Sequence, residues 1–197
     1  MVFLSGEAVN LRTLEPSDAE QLVVWLNNPE LRRFLSVRFP ITAGDESAWL
    51  QSHSTAGADR RDVVLGITIP DGDNQVLIGT AGLHAIDWIR RRAMTGIVIG
   101  PPEHRSRGFG TAAKNLMMDY AFGELGLHSL WAEVLADNHA SLRALEKQGY
   151  RRGSVLRQAA FMRGEWCDMV YLDVLADEWR ALRESSGKGA GKSPIRR

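Results

Sequence analysis

Apolar and polar positions alternate in period two, then in period 3.6, then back again along this chain. Between Glu7 and Leu14, Val9 and Leu11 alternate with polar residues, as in a half-buried strand. Pro16-Ser17-Asp18-Ala19-Glu20 opens a helix, with Ser17 and Glu20 at capping-box spacing. Ala19, Leu22, Val23 and Leu26 follow at helical spacing, and Asn27-Asn28-Pro29 ends it. A second helix is predicted from Thr42, a fair N-cap, to about Ser52, and Gly57 to Asp62 reads as loop. Val63 to Ile69 is an apolar strand, Pro70-Asp71-Gly72-Asp73-Asn74 a turn cluster, and Gln75 to His84 the returning strand of a hairpin. Asp87 to Arg92 is a polar connection before another strand-like run, Ala93 to Gly100.

After a loop from Pro101 to Gly110, Thr111 to Phe122 places Ala113, Leu116, Met117, Tyr120 and Ala121 on one helical stripe. Leu130 to Val134 is a short buried-type strand, and Asp137 to Gln148 a helix closed by Gly149. Tyr150 to Leu156 and Asp168 to Val174 complete the sheet, with a short strand near Phe161 between them. The order β-α-α-β-β-β-α-β-α-β-β predicts an α+β fold, helices against a mostly antiparallel sheet. Residues 1–183 are assigned to one domain. Residues 184–197, rich in glycine and in Lys/Arg, read as a disordered basic tail.

Composition adds mainly exclusions. With 197 residues, 44% of them hydrophobic, the chain can bury one full core. Lys plus Arg and Asp plus Glu balance at 24 each, which gives no electrostatic reason to expect DNA as a partner. The single cysteine, Cys167, rules out an internal disulfide and argues against a cysteine zinc site, so no metal is expected. No segment reads as a signal peptide or a membrane span, so the expected location is cytoplasmic, away from membranes.

The candidate chemistry centres on Arg105-Ser106-Arg107-Gly108-Phe109-Gly110-Thr111, between a strand and a helix. A helix N-terminus offers unpaired N–H groups, and glycines there let backbone approach an anion closely. Spacing alone leaves a phosphate cradle and an ordinary glycine turn at similar odds. The third glycine of a dinucleotide fingerprint and the Gly-Lys-Ser/Thr of a P-loop are both missing.

Arg105-x-x-Gly108-x-Gly110 resembles motif A of the GCN5-related N-acetyltransferases (GNAT). The run from Asn138 through Ser141, Leu145, Glu146 and Lys147 to Gly149-Tyr150 is similar to that family's second signature. Gly79 to Trp88, Asn28 to Leu35 and Trp166-x-Asp168-x-x-x-Leu172 resemble the branch containing the ribosomal-protein N-terminal acetyltransferases RimJ and RimL. The resemblance covers residues 7 to 180 in family order. It implies the GNAT fold: a mostly antiparallel sheet splayed into a V, helices on both faces, with acetyl-CoA in the cleft as co-substrate. Backbone of Ile97, Val98 and Ile99 would pair with the pantetheine. N–H groups of Arg105, Ser106, Arg107, Gly108, Phe109, Gly110 and Thr111 would hold the pyrophosphate. Asn138 and Ser141 would border the pantetheine arm.

Transfer by direct attack needs a neutral amine, an oxyanion donor and a proton for the departing thiolate. A backbone N–H in Ile97 to Ile99 is the expected oxyanion donor by resemblance. Many family members use a tyrosine as the acid, at the position that reads Leu145 here. Ser141, one turn earlier, is the candidate donor, against the bland alternative of a polar helix-start residue. The strand Ala93 to Ile99 has no carboxylate; by the resemblance, His84 and Asp87 are the nearest candidates for the base, His84 a weak one. The resemblance implies Asn28, Glu30, Phe34, His84, Asp87 and Trp88 as the acceptor-side residues. Neutralising a lysine amine at pH 7 costs about 4.6 kcal/mol and an α-amine only about 1. The expected acceptor is therefore a protein or peptide N-terminus or a small-molecule amine, and a homodimer is left open. Two alternatives stay open: a non-catalytic acyl-CoA-binding regulatory module, and an acyltransferase using another donor such as succinyl-CoA, whose carboxylate Arg33 or Arg38 could meet.

Overall fold

In the computed structural model, which describes residues 1–54, 60–72, 74–185 and 187, eight strands form one sheet in the order β1-β2-β3-β4-β5-β6-β8-β7. They are β1 (Val2–Ser5), β2 (Asn10–Thr13), β3 (Val63–Asp71), β4 (Asn74–Asp87), β5 (Arg92–Ile99), β6 (Ser129–Leu135), β7 (Arg151–Met162) and β8 (Glu165–Leu175). All neighbours are antiparallel except β5 and β6. That parallel pair is joined by α4 (Phe109–Asp119), the crossover a parallel connection requires. The remaining helices are α1 (Ala19–Asn27), the single turn α2 (Pro29–Arg32), α3 (Ala43–Ser54), α5 (His139–Lys147) and α6 (Ala176–Ser185). The α+β, mostly antiparallel architecture is the one expected from the pattern. Among the described residues, no helix is long and apolar enough to cross a membrane.

Two cores lie on opposite faces of the sheet. On one face Met117, Met118 and Phe122 of α4 and its continuation, Leu142 and Leu145 of α5 and Trp179 of α6 pack with Leu83, Leu130, Leu172 and Val174 of the strands. On the other, Leu22 and Trp25 of α1 pack with Leu50 of α3. Glycine at position 100 makes this second packing possible, because a Cβ there would fall 2.1 Å from the Trp25 indole.

Several boundaries differ from the pattern. The first strand pair includes β1, whose apolar residues run Val2-Phe3-Leu4 without alternation. The first helix starts through a 3-10 turn, Pro16–Asp18, and Asp18, not Ser17 or Glu20, takes the capping role by accepting from the Glu15 N–H at 2.7 Å. The α4 helix begins two residues early, at Phe109, because Gly108 caps it in the left-handed conformation (φ +86°), and it ends in a π turn, Tyr120–Glu124. β7 is one twelve-residue strand where two short ones were expected. The sequence reading assigned no helix to α6, yet it runs past residue 183 into the assigned tail. Its anchors are long-range: Trp179 Nε1 donates to Asp119 at 3.0 Å and Arg183 pairs with the same carboxylate at 2.9 Å. Asp73, the loop segment 55–59 and the tail residues 186 and 188–197 lie outside the described residues.

Candidate functional site

The sheet opens into a V between β5 and β6. The two strands pair only at Arg92↔Ser129, Ala93↔Leu130 and Met94↔Trp131. Beyond Met94, β5 keeps its partner on the β4 side, through Thr95↔Leu83, Gly96↔Gly82, Ile97↔Ala81, Val98↔Thr80 and Ile99↔Gly79. Its other edge, Thr95 to Ile99, faces the opening. Unpaired strand edges are strong, directional hydrogen-bonding groups that an extended ligand can satisfy.

The V opens toward the C-terminal ends of β5 and β6, where the glycine turn and the start of α5 stand. Ser106 (φ +59°) and Gly108 (φ +86°) are both left-handed, with Arg107 between them. Such alternation aims successive N–H groups at one point, and the macrodipole of α4 adds positive potential there. A Cβ at Gly108 would meet nothing within 4 Å, so the space before the helix is open. The first intrahelical bond is Ala112 N–H to Gly108 O at 2.9 Å, which leaves the N–H groups of Phe109, Gly110 and Thr111 as orphan donors of the first turn.

The arginine side chains do not both face this space. Arg105 donates to Ile99 O at 3.2 Å and to Gly100 O, and pairs with Glu30 at 3.5 Å. Its guanidinium therefore fastens the end of β5 and occupies the Ile99 carbonyl, and its backbone N–H donates to Pro102 O at 3.0 Å. Arg107 lies 5.1 Å over the Phe109 ring. At the second strand end, Asn138 caps α5 by accepting from Ser141 N–H at 3.2 Å. Ser141 sits half-buried in that first turn, its hydroxyl without a hydrogen bond among the described residues. Leu145 is 3% exposed and packs in the core.

On the face that carries α1 and α3, β4 and β5 present His84, Gly82, Gly96 and Val98. The His84 imidazole lies over both glycines: a Cβ at Gly82 would be 2.3 Å from Nε2, and one at Gly96 3.3 Å. A bulge between His84 and Asp87, with Ala85 left-handed at φ +49°, re-aims the strand here. Asp62, just before β3, accepts from the Ala85 N–H at 3.2 Å and lies 3.3 Å from His84 Nδ1. A carboxylate only accepts, so Nδ1 carries the proton and Nε2 is left as the basic nitrogen above the two glycines. Burial pushes the His84 pKa below its ordinary value, partly offset by the Asp62 charge; His53 and Lys114 push in the same direction as burial. Its neutral form therefore dominates at neutral pH.

The other acceptor-side expectations fare differently. Asp87 accepts from the Ile89 and Arg90 N–H groups and the Arg90 guanidinium, which hold its carboxyl below the usual range, so it closes its own hairpin turn. Trp88 Nε1 donates to Arg60 O at 2.8 Å, in the segment before β3. Asn28 caps α2 by accepting from Glu30 N–H, and Glu30 is held by Arg105. Phe34, 36% exposed, carries Arg33 at 4.6 Å over its ring. Of these residues, only His84 stands over the glycine-lined floor beside the V.

Sequence reasoning missed the opposite wall. Met94↔Trp131 is the last β5–β6 pair, so the next residue on the same face of β6 is Glu133, on the far side of the opening from β5. Glu133 receives a hydrogen bond from the Tyr171 hydroxyl, and that bond raises the Tyr171 pKa. Trp131, expected in the core, is half-buried on this cleft face and stacks on Tyr171 at 5.6 Å and 6°. An acid in the apolar run Leu-Trp-Ala-Glu-Val-Leu was the one available signal. Behind the apex, on the α4 face, Thr95 Oγ1 accepts from the buried Lys114 amino group at 2.9 Å and shares a 2.9 Å bond with Tyr150 OH.

A V-shaped opening with an anion-ready turn at its mouth suits an extended ligand that ends in phosphate. Residues 8–151 match the acetyltransferase (GNAT) domain model, and the chain belongs to that family. The uncharacterized N-acetyltransferase YoaA of Bacillus subtilis (strain 168) is 32% identical over 161 residues, 82% of this chain and 89% of that one. The spermidine N(1)-acetyltransferase of Vibrio cholerae is 30% identical, covering 87% of this chain and 95% of the relative. Among solved structures, spermidine N-acetyltransferase from Vibrio cholerae in complex with CoA and spermine superposes with a TM-score of 0.80 at 23% identity, over 88% of this chain and 99% of that chain. A probable acetyltransferase superposes at 0.78 with 28% identity, over 88% and 96%. The chain is thus an N-acetyltransferase of GNAT fold.

Proposed function

We propose that this enzyme moves the acetyl group of acetyl-CoA to the amino group of a small molecule or peptide by direct attack, with His84, oriented by Asp62, taking the proton. The observation that carries the donor half is the free β5 edge ending at the left-handed Ser106–Gly108 turn. The edge from Thr95 to Val98 suits the pantetheine amides, the first-turn N–H groups of α4 suit the pyrophosphate, and Asn138 and Ser141 border the arm between them. Ile99 pairs less readily, since Arg105 already takes its carbonyl.

A backbone N–H of Ile97 to Ile99 then faces the developing oxyanion. His84 Nε2 accepts the amine proton while Asp62 stabilises the resulting imidazolium. Ser141 is the candidate donor to the leaving sulfur. With a base present, the higher cost of neutralising an ordinary ammonium no longer excludes one, and relatives named for spermidine acetylation favour small-molecule amines as a class. A non-catalytic module draws no support from relatives named as N-acetyltransferases. The same proposal keeps a RimJ/RimL-like ancestry and a cytoplasmic enzyme, both supported by sequence pattern alone.

The test is thiol release from acetyl-CoA across an amine panel, with CoA binding read separately by thermal shift. Turnover with at least one amine, falling at least ~100-fold in His84→Gln, is expected. Binding of CoA with no turnover on any amine would overturn catalysis. Ser141→Ala should lower kcat most at high pH, where water protonates the thiolate poorly; unchanged turnover at several pH values would remove its role.

A further inference from the structure

Next to the V, on the His84 face, is a pocket of about 440 Å³. Its floor is Glu133 and Tyr171, its apolar wall includes Leu156, Phe161 and Met169, and Arg38 reaches it from the segment between α2 and α3. Two opposite charges line one pocket without pairing: no ion pair joins Arg38 to Glu133, and among the described residues Arg38 has no ionic partner. Glu133 is fixed by the Tyr171 hydroxyl, and Tyr171 is fixed by stacking on Trp131.

From this arrangement we infer that the acceptor is a zwitterion of amino-acid type: an amine whose skeleton also carries a carboxylate, with an apolar side group. The inference rests on the acetyltransferase reading and names the acceptor within it. Glu133, two residues past the last β5–β6 pair on the β6 side of the V, holds the ammonium. Arg38 takes the carboxylate, for which a guanidinium fork is the matched partner. Leu156, Phe161 and Met169 cover the apolar group. A polycation satisfies Glu133 but sets another positive charge near Arg38, which disfavours it.

The experiment compares initial rates with acetyl-CoA for leucine, methionine and phenylalanine, their amides, the corresponding decarboxylated amines, and spermidine. The free amino acids should have the highest kcat/KM, by about tenfold over amide or amine, as expected for one charge-assisted contact. In Arg38→Gln that ratio should collapse through KM, and in Glu133→Gln KM should rise for every acceptor. Equal rates for acid and amide, or spermidine as the best acceptor, would overturn the zwitterion while leaving acetyl transfer intact. So would faster transfer from succinyl-CoA than from acetyl-CoA with the advantage lost in Arg38→Gln, since the carboxylate would then belong to the donor. If no amine turns over, transfer itself fails. Calorimetric binding of the amino acids, lost in Arg38→Gln, then still supports the pocket assignment, and its absence overturns it.

Discussion

His84 can lie flat over β4 and β5 only because positions 82 and 96 carry no side chain. The Gly82 position is the tighter, with a Cβ landing 2.3 Å from Nε2. Gly82→Ala should therefore rotate the ring off its Asp62 partner and cost about 100-fold in kcat/KM, the scale of a general base. Unfolding should move little, since only a half-exposed ring has to shift. A variant that keeps full activity would remove His84 from the mechanism. The same pair sets a pH test with a definite sign. Because the Asp62 charge raises the His84 pKa against the larger lowering by burial, Asp62→Asn should move the acid limb of kcat/KM to lower pH while reducing its plateau. An acid limb that moves upward would mean the limb reports another group.

At the scale of elements, what was legible in the sequence is what local backbone geometry dictates. The α4 N-terminus was visible because a left-handed cap and an open approach demand glycine at set positions. Gly108→Ala should accordingly lower stability by about 1–2 kcal/mol, the cost of a left-handed alanine, and also weaken CoA binding. Gly110→Ala, whose Cβ would sit at an ordinary 3.4 Å from Ile97, should leave the melting temperature nearly unchanged. Thermal unfolding with and without CoA separates the two, and equal losses would mean that position 108 is not conformationally special. The acceptor side was largely invisible for the opposite reason. Asp62 reaches His84 across 22 positions of sequence, and Arg38 and Glu133 line one pocket from segments 95 positions apart. No periodicity encodes such meetings. Asp87 closes its own hairpin turn through Ile89 and Arg90, a local use of a polar residue that sequence pattern does not separate from a binding one. Helix α6 escaped notice because its two anchors, Trp179 and Arg183, both depend on Asp119 far upstream.

For the molecule as a whole, the V is a break in the sheet that the rest of the fold must hold together. Three residue pairs join β5 to β6, and just past them Thr95 Oγ1 lies 3.3 Å from Trp131 O, tying the apex. Lys114 completes that clasp at a cost. It is 6% exposed, and burial pushes its pKa down to about 7. The sign follows from proton counting. Between about pH 7 and the ordinary lysine value, the unfolded chain binds a proton the folded chain does not, so stability rises with pH across that window. The penalty is absent above it, grows by about 1.4 kcal/mol per pH unit as pH falls, and is complete below about 7. Lys114→Met keeps the volume and removes the ammonium, while Thr95 retains its bond to Tyr150. The variant should be more stable than the parent at pH 7 by a few kcal/mol, and the gap should close as pH approaches 10. Urea unfolding of both proteins at pH 7, 8, 9 and 10 reads the difference directly. A gap that is constant, or that widens with pH, would mean Lys114 stays charged in the fold and that the apex is held by an ionic contact instead of a neutral amine.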